Sequence, residues 1–258
     1  MNRWCPLLLL LSAPMNACSE APLDAVTLPP SAGGVPLSSG LVAHFPLDET
    51  AGTVAHDDSG AGHDGQVSGG TWLADGRLAG ALRLSAGDSV SVAGVPDASS
   101  NFTVAVWIRV SAAQLALDTQ TWVAILGNEI FRVGGWQLNI DNRLGRPRID
   151  FAYWAPPLTD YLFVECDCIE LDRWIHVAAV VDVAANLVTL YTGGVIGDQE
   201  TRPSDIQPGD PTLYFGRWSA DARLFSGDLD DIALWSRALS ASEIGALGER
   251  SPSPVPGH

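Results

Sequence analysis

One acidic residue near the end of the chain requires a chemical partner. Asp230 lies in the segment 227–235, where alternating polar and apolar residues predict a β-strand. In such a strand Asp230 shares a face with Ile232 and Leu234, whereas the other face carries Leu229, Asp231, Ala233 and Trp235. A carboxylate on an apolar face is tolerated only beside a cation, a metal ion or several hydrogen-bond donors. Arg83 and Arg237 are the candidate cations.

Further oxygen donors lie at the start of the chain's apolar segments. Asp48 follows the segment 41–47, and Asp58 lies in the glycine-rich stretch 57–65. Glycine allows positive backbone angles, so this stretch can form a tight loop that presents carbonyl oxygens, such as that of His63. Calcium prefers sites that mix carboxylate and carbonyl oxygens. We therefore expect a calcium site built from Asp48, Asp58, His63 and Asp230, with an arginine ion pair at Asp230 as the alternative.

Two cysteines, Cys166 and Cys168, are separated by one residue. In an exported protein such neighbours are expected to be oxidised. The α-carbons of strand positions i and i+2 are about 6–7 Å apart, at the edge of the range for a disulfide, so a loop conformation suits the bond better. We predict a disulfide first and free thiols second. A metal site ranks third, because two cysteines alone leave it incomplete.

No motif for nucleophilic, zinc-protease or phosphate-transfer chemistry is present. The histidines are scattered, and His176, which lies in the middle of a predicted strand, is interpreted as a structural histidine with satisfied hydrogen bonds. Trp107 also lies within a predicted strand, and it is interpreted as a core residue.

Short strands are the elements that must position these residues. The clearest is 102–110, where β-branched and aromatic residues alternate. Further strands are predicted at 80–84, 89–92, 122–126, 136–140, 148–154, 160–165, 174–182, 187–191 and 212–216. Regularly spaced short strands indicate an all-β sandwich or barrel. One short helix is predicted after Ser240, because Ser240 and Glu243 can form a capping box and Leu239 and Ile244 a hydrophobic staple.

The two ends of the chain have a different composition from the strand region. Residues 1–18 combine one arginine, an apolar run and small residues, which predicts an export signal. It ends at Cys18 in a sequence that resembles a bacterial lipobox, so we expect lipidation of Cys18, with ordinary cleavage and release as the alternative. Residues 19–39 predict a flexible linker, 40–249 a single domain, and 250–258 a disordered tail.

The charge of the chain limits its partners. Thirty acidic residues stand against fourteen basic ones, giving a net charge of −16, and every basic residue is arginine. Nucleic acids and anionic membranes are bound through cationic contacts, so we expect neither as a direct partner, and membrane association only through a lipid anchor. The acidic surface is compatible with divalent cations and also with simple solubility.

Several motifs together resemble one family. The strand at 227–235, followed by Arg-Ala-Leu-Ser-Ala-Ser-Glu-Ile at 237–244, is similar to the C-terminal signature of laminin-G-like domains of the concanavalin A-like lectin/glucanase superfamily. The opening segment 41–49, the loop 57–65, Phe-Thr-Val at 102–104 and Trp-Ile-His-Val-Ala at 174–178 also resemble that family. The resemblance implies a two-sheet antiparallel jelly-roll sandwich with one short C-terminal helix. It also implies that the first and last strands are close, which would bring Asp48 and Asp230 together.

The resemblance implies a non-catalytic binding or adhesion module, cell-surface or secreted, that recognises a glycan or a surface protein. The calcium site expected from the carboxylates would stabilise it. Sugars stack on exposed aromatic rings beside polar groups, and Tyr153, Trp154 and Trp218 are the aromatic residues predicted at strand ends or loops. An atypical glycoside hydrolase is one alternative. The superfamily's hydrolases need paired carboxylates. In the nearest candidate segment, 228–233, the position of the second carboxylate is occupied by Ile232 or Ala233, neither of which is acidic. A structural envelope lipoprotein is the other alternative.

Overall fold

The computed structural model describes residues 35–250 except 97–99, 118–120, 144, 156–159, 202–204 and 221–222. The predicted export signal with Cys18, most of the linker and the tail from residue 251 lie outside the described residues. The described elements, in chain order, are β1 (Leu41–Phe45), β2 (Val54–Ala55), β3 (Gly65–Ser68), β4 (Thr71–Leu73), β5 (Ala81–Leu84), β6 (Ser89–Ala93), β7 (Phe102–Arg109), α1 (Ala112–Leu117), β8 (Trp122–Gly127), β9 (Trp136–Asp141), β10 (Arg148–Ala155), β11 (Asp160–Cys166), β12 (Trp174–Asp182), β13 (Leu187–Thr192), β14 (Val195–Thr201), β15 (Thr212–Phe215), β16 (Gly227–Trp235) and α2 (Ala241–Gly248).

The strands form two antiparallel sheets, as predicted. Sheet A has the order β14-β13-β12-β7-β16-β5-β4, and β1 pairs with the second half of β16. Sheet B has the order β11-β10-β9-β8-β15-β6-β3-β2. Non-consecutive neighbours such as β7 and β16 show that the chain crosses repeatedly between the sheets, which is the topology of a jelly-roll sandwich.

The main hydrophobic core lies between the two sheets. Alternate residues of β7, including Val104, Val106 and Ile108, face it from sheet A, and Leu138 and Phe151 face it from sheet B. These side chains are fully buried. Burying a side chain of this kind stabilises the fold by roughly 1.5–3 kcal/mol, so the period-2 pattern of the strands specifies which face turns inward.

The C-terminal helix covers part of the outer face of sheet A. Its predicted capping box is present, since the Ser240 side chain accepts from the Glu243 amide and the Glu243 side chain accepts from the Ser240 amide. Leu239 and Ile244 are both buried in a second hydrophobic cluster, where the helix lies over small residues such as Ala105 and Ala178. The packing of this apolar helix face explains why so short a helix is stable.

The alternation predicted for β16 is wrong after Asp230. A β-bulge interrupts the pairing of β16 with β7 between Asp230 and Ala233, and Asp231 has a positive φ of 49°. The extra residue returns Ile232 and Leu234 to the core, whereas Asp230 pairs with Trp107 on the outer face of sheet A. Asp230 is therefore not on the core face.

The sequence did not predict four strands, β2, β3, β4 and β14, or the helix α1. β2, β3 and β4 are two to four residues long, which is too short to show a period. β14 lies at the edge of sheet A, and most of its residues are exposed, so it has no apolar alternation.

Candidate functional site

Asp230 is held by the backbone of the loop before β5. Its Oδ2 accepts hydrogen bonds from the amides of Arg77 and Leu78, at 2.6 and 2.9 Å. Its Oδ1 is buried and has no hydrogen-bond partner among the described residues. Burial, and then the nearby charges of Asp231 and Asp48, raise the pKa of Asp230 to about 7 against the two amide bonds.

The arginine alternative for Asp230 is wrong. Arg83 and Arg109 both pair with Asp228, each at 2.7 Å, and Arg237 pairs with Glu243. Asp228 and Asp230 are thus neighbours with different partners: guanidinium groups for one and amides for the other.

Of the other predicted metal ligands, Asp48 is close enough to Asp230 for its charge to act on that carboxyl group, and Asp58 is close enough to act on Asp48. Asp48 is exposed and accepts from the Gly80 amide at 2.6 Å. Partial desolvation raises the pKa of Asp48, and the charges of Asp231 and Asp58 add to this. His63 donates its amide to Asp57 at 2.9 Å. Within the part of the chain that the structure describes, no group of three or more His, Cys, Asp or Glu side chains is arranged to hold a metal ion.

Asp57, which the sequence analysis passed over, organises the glycine-rich loop. Its carboxylate accepts from the amides of His44, Ser59 and His63, and these bonds hold the pKa of Asp57 low although burial opposes them. An aspartate that accepts from the amide two residues later is an Asx turn, and the sequence Asp-Asp-Ser-Gly could have revealed it.

A second group of residues surrounds a buried glutamate that follows β8 of sheet B. We call it the Glu129 cluster: Glu129, Phe131, Trp154, Trp218 and Arg223. Glu129 is fully buried, and it accepts from Trp154 Nε1 at 2.9 Å and from Arg223 at 3.0 Å. A further hydrogen bond comes from the Tyr161 hydroxyl at 3.2 Å. The glutamate therefore fixes the orientation of the side chains around it.

The aromatic rings of the Glu129 cluster lie against one another. Phe131, at the tip of a turn closed by the bridge between Ile130 and Gly134, is 55% exposed. It meets Trp154 and Trp218 edge-on, with ring centroids 5.5 and 6.5 Å away. Arg223 stacks on Trp218 at 4.4 Å, and Trp218 Nε1 has no partner among the described residues. The cluster thus offers an exposed ring beside a buried, unpaired donor.

The three predicted sugar-contacting aromatic residues have different positions. Tyr153 faces the core and is 2% exposed, so it cannot act as an exposed platform; the neighbouring Trp154 points to the outer face of sheet B but lies beneath Phe131. Trp218 is half-buried beside Phe131. Sequence analysis missed Phe131 and Glu129, because neither lies in a recognisable strand.

A row of buried polar side chains extends from the Glu129 cluster across the outer face of sheet B. Gln137, Asn139 and Asp141 alternate along β9, and Asp150 lies opposite Asn139 on β10. Gln137 Nε2 has no partner among the described residues, and the Asn139 amide and Asp150 Oδ1 have none there beyond each other. Buried polar atoms are normally paired, so this row is suited to a ligand or ordered water.

Two carboxylates in this row titrate in opposite directions. Burial, and then the charge of Asp141, raise the pKa of Asp150 to about 7. Burial also acts on Asp141, but hydrogen bonds from Arg143 and Arg148 lower its pKa. The pair has the electrostatics of a proton donor beside an ionised partner.

The sequence matches, over residues 84–245, a laminin-G family described as the concanavalin A-like lectin/glucanases superfamily. The chain belongs to this superfamily. A search of curated proteins found no match.

Three solved structures with the same fold are binding domains. The botulinum neurotoxin serotype D binding domain is 20% identical with a TM-score of 0.66, and the match covers 82% of this chain and 52% of that one. A serotype D ligand-binding domain in complex with N-acetylneuraminic acid is 19% identical, with a TM-score of 0.65 and coverage of 82% and 51%. The binding domain of Paraclostridial Mosquitocidal Protein 1 is 19% identical, with a TM-score of 0.64 and coverage of 81% and 52%. The laminin-G-like chain therefore spans about half the length of these structures, and at this identity the likeness shows the fold alone.

Two further features of this laminin-G-like chain concern its cysteines and its helices. The predicted disulfide is present: Cys166, the last residue of β11, is bonded to Cys168 in the following loop, with α-carbons 5.1 Å apart. No helix among the described residues has the length and apolar character needed to cross a membrane.

Proposed function

We propose that this protein is a non-catalytic binding module, cell-surface or secreted, that recognises a glycan through the Glu129 cluster on the outer face of sheet B. The observation that carries the proposal is the exposed Phe131 ring, held edge-on to Trp154 and Trp218 beside unpaired buried polar atoms. An aromatic face binds the C–H face of a sugar, and neighbouring donors and acceptors bind its hydroxyl groups. A surface protein with an exposed glycan is the corresponding macromolecular partner.

The rigidity of the Glu129 cluster supports a binding role. Because Glu129 fixes Trp154 and Arg223 by hydrogen bonds, little side-chain freedom is lost when a ligand docks. The solved relatives support the same class of function, since they are binding domains and one of them was solved with N-acetylneuraminic acid.

A glycoside hydrolase is the second candidate, and the opposite pKa shifts of Asp141 and Asp150 favour it. However, Asp141 and Asp150 are at most 1% exposed, and Asp141 is already occupied by Arg143 and Arg148. A general acid must reach the glycosidic oxygen within hydrogen-bond distance. Binding is therefore the function that the described geometry supports better.

The test is glycan-array screening followed by titration calorimetry with the best soluble oligosaccharide. Phe131→Ala removes the exposed ring, and we expect it to weaken binding at least tenfold. Val133→Ala is the matched control, because Val133 lies in the same turn and is 52% exposed. Equal affinities for both variants would reject the cluster as the glycan site, and hydrolysis of the oligosaccharide would favour the enzyme.

We also propose that a structural calcium ion binds beside Asp48 and Asp230. The support is the buried, unpaired Oδ1 of Asp230, together with the desolvation and like-charge repulsion that raise the pKa of both carboxyl groups. Asp58 and the His63 carbonyl are the weaker candidate ligands. Since the described side chains form no complete set, backbone carbonyls or water must supply the remaining oxygens that calcium requires.

Thermal unfolding in calcium and in chelator tests this proposal. Calcium should raise the Tm of the wild type by several degrees, as expected for a ligand present at about a hundred times its Kd. Asp230→Asn should lose this gain, whereas Asp75→Asn, an exposed control of equal charge, should keep it. If calcium raises the Tm of both variants equally, the ion is bound elsewhere.

Export and lipid anchoring through Cys18 complete the proposed function. The support is the predicted N-terminal export signal, the lipobox-like sequence and the Cys166–Cys168 disulfide, a bond typical of oxidising compartments. Mass spectrometry of the mature N-terminus distinguishes a diacylated cysteine from a released chain, and Cys18→Ala should abolish the lipid-dependent mass.

A further inference from the structure

A cavity of about 620 Å³ opens on the outer face of sheet A, opposite the Glu129 cluster. We call it the Trp107 cavity. Its lining includes Arg77, Trp107, Glu170, Arg173, His176 and Val195. It lies between the connection from β11 to β12 and the turn from β13 to β14. Its volume falls within the range of small-molecule sites.

The sequence of two paired strands creates the floor of the Trp107 cavity. Trp107 on β7 pairs with His176 on β12, and both side chains point away from the core between the sheets. Next to them on the same face, Ala105 and Ala178 lie in the cluster under helix α2. The helix therefore covers the small residues, whereas the two larger rings form the base of a separate recess.

Two buried nitrogen atoms in the cavity floor are unpaired. Trp107 is 4% exposed and His176 is 2% exposed. Trp107 Nε1, which can only donate, and His176 Nδ1 both have no hydrogen-bond partner among the described residues. His176 is thus not the satisfied structural histidine that the sequence indicated. Buried polar atoms of this kind require a partner that enters the cavity.

The cavity also contains a cation with no acidic partner. The Arg77 guanidinium lies 4.3 Å from the centre of the Trp107 ring, and it forms no salt bridge within the described residues. At the rim, by contrast, Glu170 is already paired with Arg173 at 2.7 Å. In a chain of net charge −16, an unpaired arginine at a cavity floor is a specific anion-binding feature.

Two acidic residues also lie in this region: Asp230, opposite Trp107 on β16, accepts from the amides of Arg77 and Leu78, and Asp167 in the lining pairs with Arg146 at 2.8 Å. Burial lowers the pKa of His176 to about 4; the charge of Asp231 opposes this shift, and the charges of Arg250 and Arg77 contribute to it. A neutral His176 can either donate or accept a hydrogen bond. Val195 at the mouth is 67% exposed and supplies an apolar wall.

From this geometry we propose that the Trp107 cavity is a second binding site, which takes a small organic carboxylate. The carboxylate pairs with the Arg77 guanidinium and accepts the hydrogen bond of Trp107 Nε1, while His176 Nδ1 contacts a second polar group. The apolar part of the ligand lies against Val195. This site is on the other sheet and does not depend on glycan binding at the Glu129 cluster.

The test is a ligand titration of the full chain followed by NMR of the ¹⁵N-labelled indole groups. The probes are benzoate, its neutral analogue benzamide, and glucuronate with neutral glucose. The Trp107 Nε1–H signal is assigned by its loss in Trp107→Phe. We expect benzoate to shift this signal with saturation in the millimolar range and benzamide to leave it unchanged. A shift with glucuronate and none with glucose identifies a sugar acid as the source of the carboxylate.

Variants separate the role of Arg77 from a general change in charge. Arg77→Gln should weaken benzoate binding at least tenfold. Arg132→Gln, which removes an arginine from above another ring, that of Phe131 at 5.7 Å, should leave it unchanged. If Arg77→Gln does not fold, Arg77→Lys keeps the charge and must still bind benzoate more tightly than benzamide. Equal shifts with benzoate and benzamide, no saturable shift, or full affinity in Arg77→Gln would each overturn the proposal.

Discussion

Replacing Asp150 by asparagine should change how stability depends on pH. Asp150 is 1% exposed on the outer face of sheet B, and its pKa in the folded protein is about 7 against an ordinary value of 3.8. The folded state therefore retains a proton that the unfolded state releases from about pH 4 upward. Stability from this group is complete below the unfolded pKa and is lost as pH rises through the folded pKa.

The size of the effect follows from the pKa difference of about 3 units. At 1.36 kcal/mol per unit, the wild type should lose about 4 kcal/mol between roughly pH 4 and pH 7, and little more above pH 8. The asparagine side chain has nearly the same shape as the aspartate it replaces, and it does not titrate. Relative to the wild type, Asp150→Asn should therefore become more stable by about 1.4 kcal/mol for each pH unit in this range.

Urea unfolding at several pH values between 4 and 8.5 measures this difference. Subtracting the two curves removes the contributions of all other titrating groups, provided that they are unchanged. Asp75→Asn, an exposed replacement with the same change in charge, is the control and should follow the wild type closely. A wild type–variant difference that is constant with pH, or that falls as pH rises, would refute the argument that burial holds Asp150 protonated.

Four further replacements test the fold and the Glu129 cluster. Ser240→Ala removes the N-cap of the C-terminal helix and should reduce the free energy of unfolding by about 1 kcal/mol in urea. Gly80→Ala should destabilise the fold by more than about 1 kcal/mol, because the new Cβ would lie 2.8 Å from the Asp48 α-carbon. Gly87→Ala is the comparison, because its Cβ would meet open space. A loss of stability in Gly87→Ala would therefore come from the backbone angle and not from a contact. Trp154→Phe removes the donor to Glu129 and should cost about 1.5–3 kcal/mol, and an unchanged denaturation midpoint would show that the bond is dispensable.

The sequence predicted the architecture well because the inter-sheet core has a simple period. In β7 and β12, alternate residues face the core, so the pattern locates both strands and faces. The capping box at Ser240 is likewise local, and the helix begins where it is predicted. These features depend on interactions between residues close in the chain or on burial alone.

The candidate sites were less predictable, because they depend on contacts between distant segments. Asp230 was assigned to the wrong face, since the bulge at Asp231 leaves no mark in an alternating sequence. Glu129 meets Arg223 from a connection 94 residues later, and neither position has a motif. Trp107 resembles a core residue by its position in β7, yet it belongs to neither hydrophobic cluster. A sheet has two faces, and alternation alone does not tell which large residues face a second layer.

The absence of lysine gives these sites a common physical basis. Guanidinium groups lie over aromatic rings in both of them: Arg77 over Trp107 at 4.3 Å and Arg223 over Trp218 at 4.4 Å. A planar guanidinium can stack on a ring and still donate in its plane, which an ammonium group cannot do. Arg223 uses its edge to bind Glu129, so its charge is already paired, and the glycan proposed for this cluster would contact the exposed Phe131 ring. The Arg77 guanidinium pairs with no described acid, so the same arrangement leaves a charged edge open. At these two sites, therefore, the stacked arginines differ in whether they already have an acidic partner, and we expect this difference to favour an anionic ligand at the Trp107 cavity.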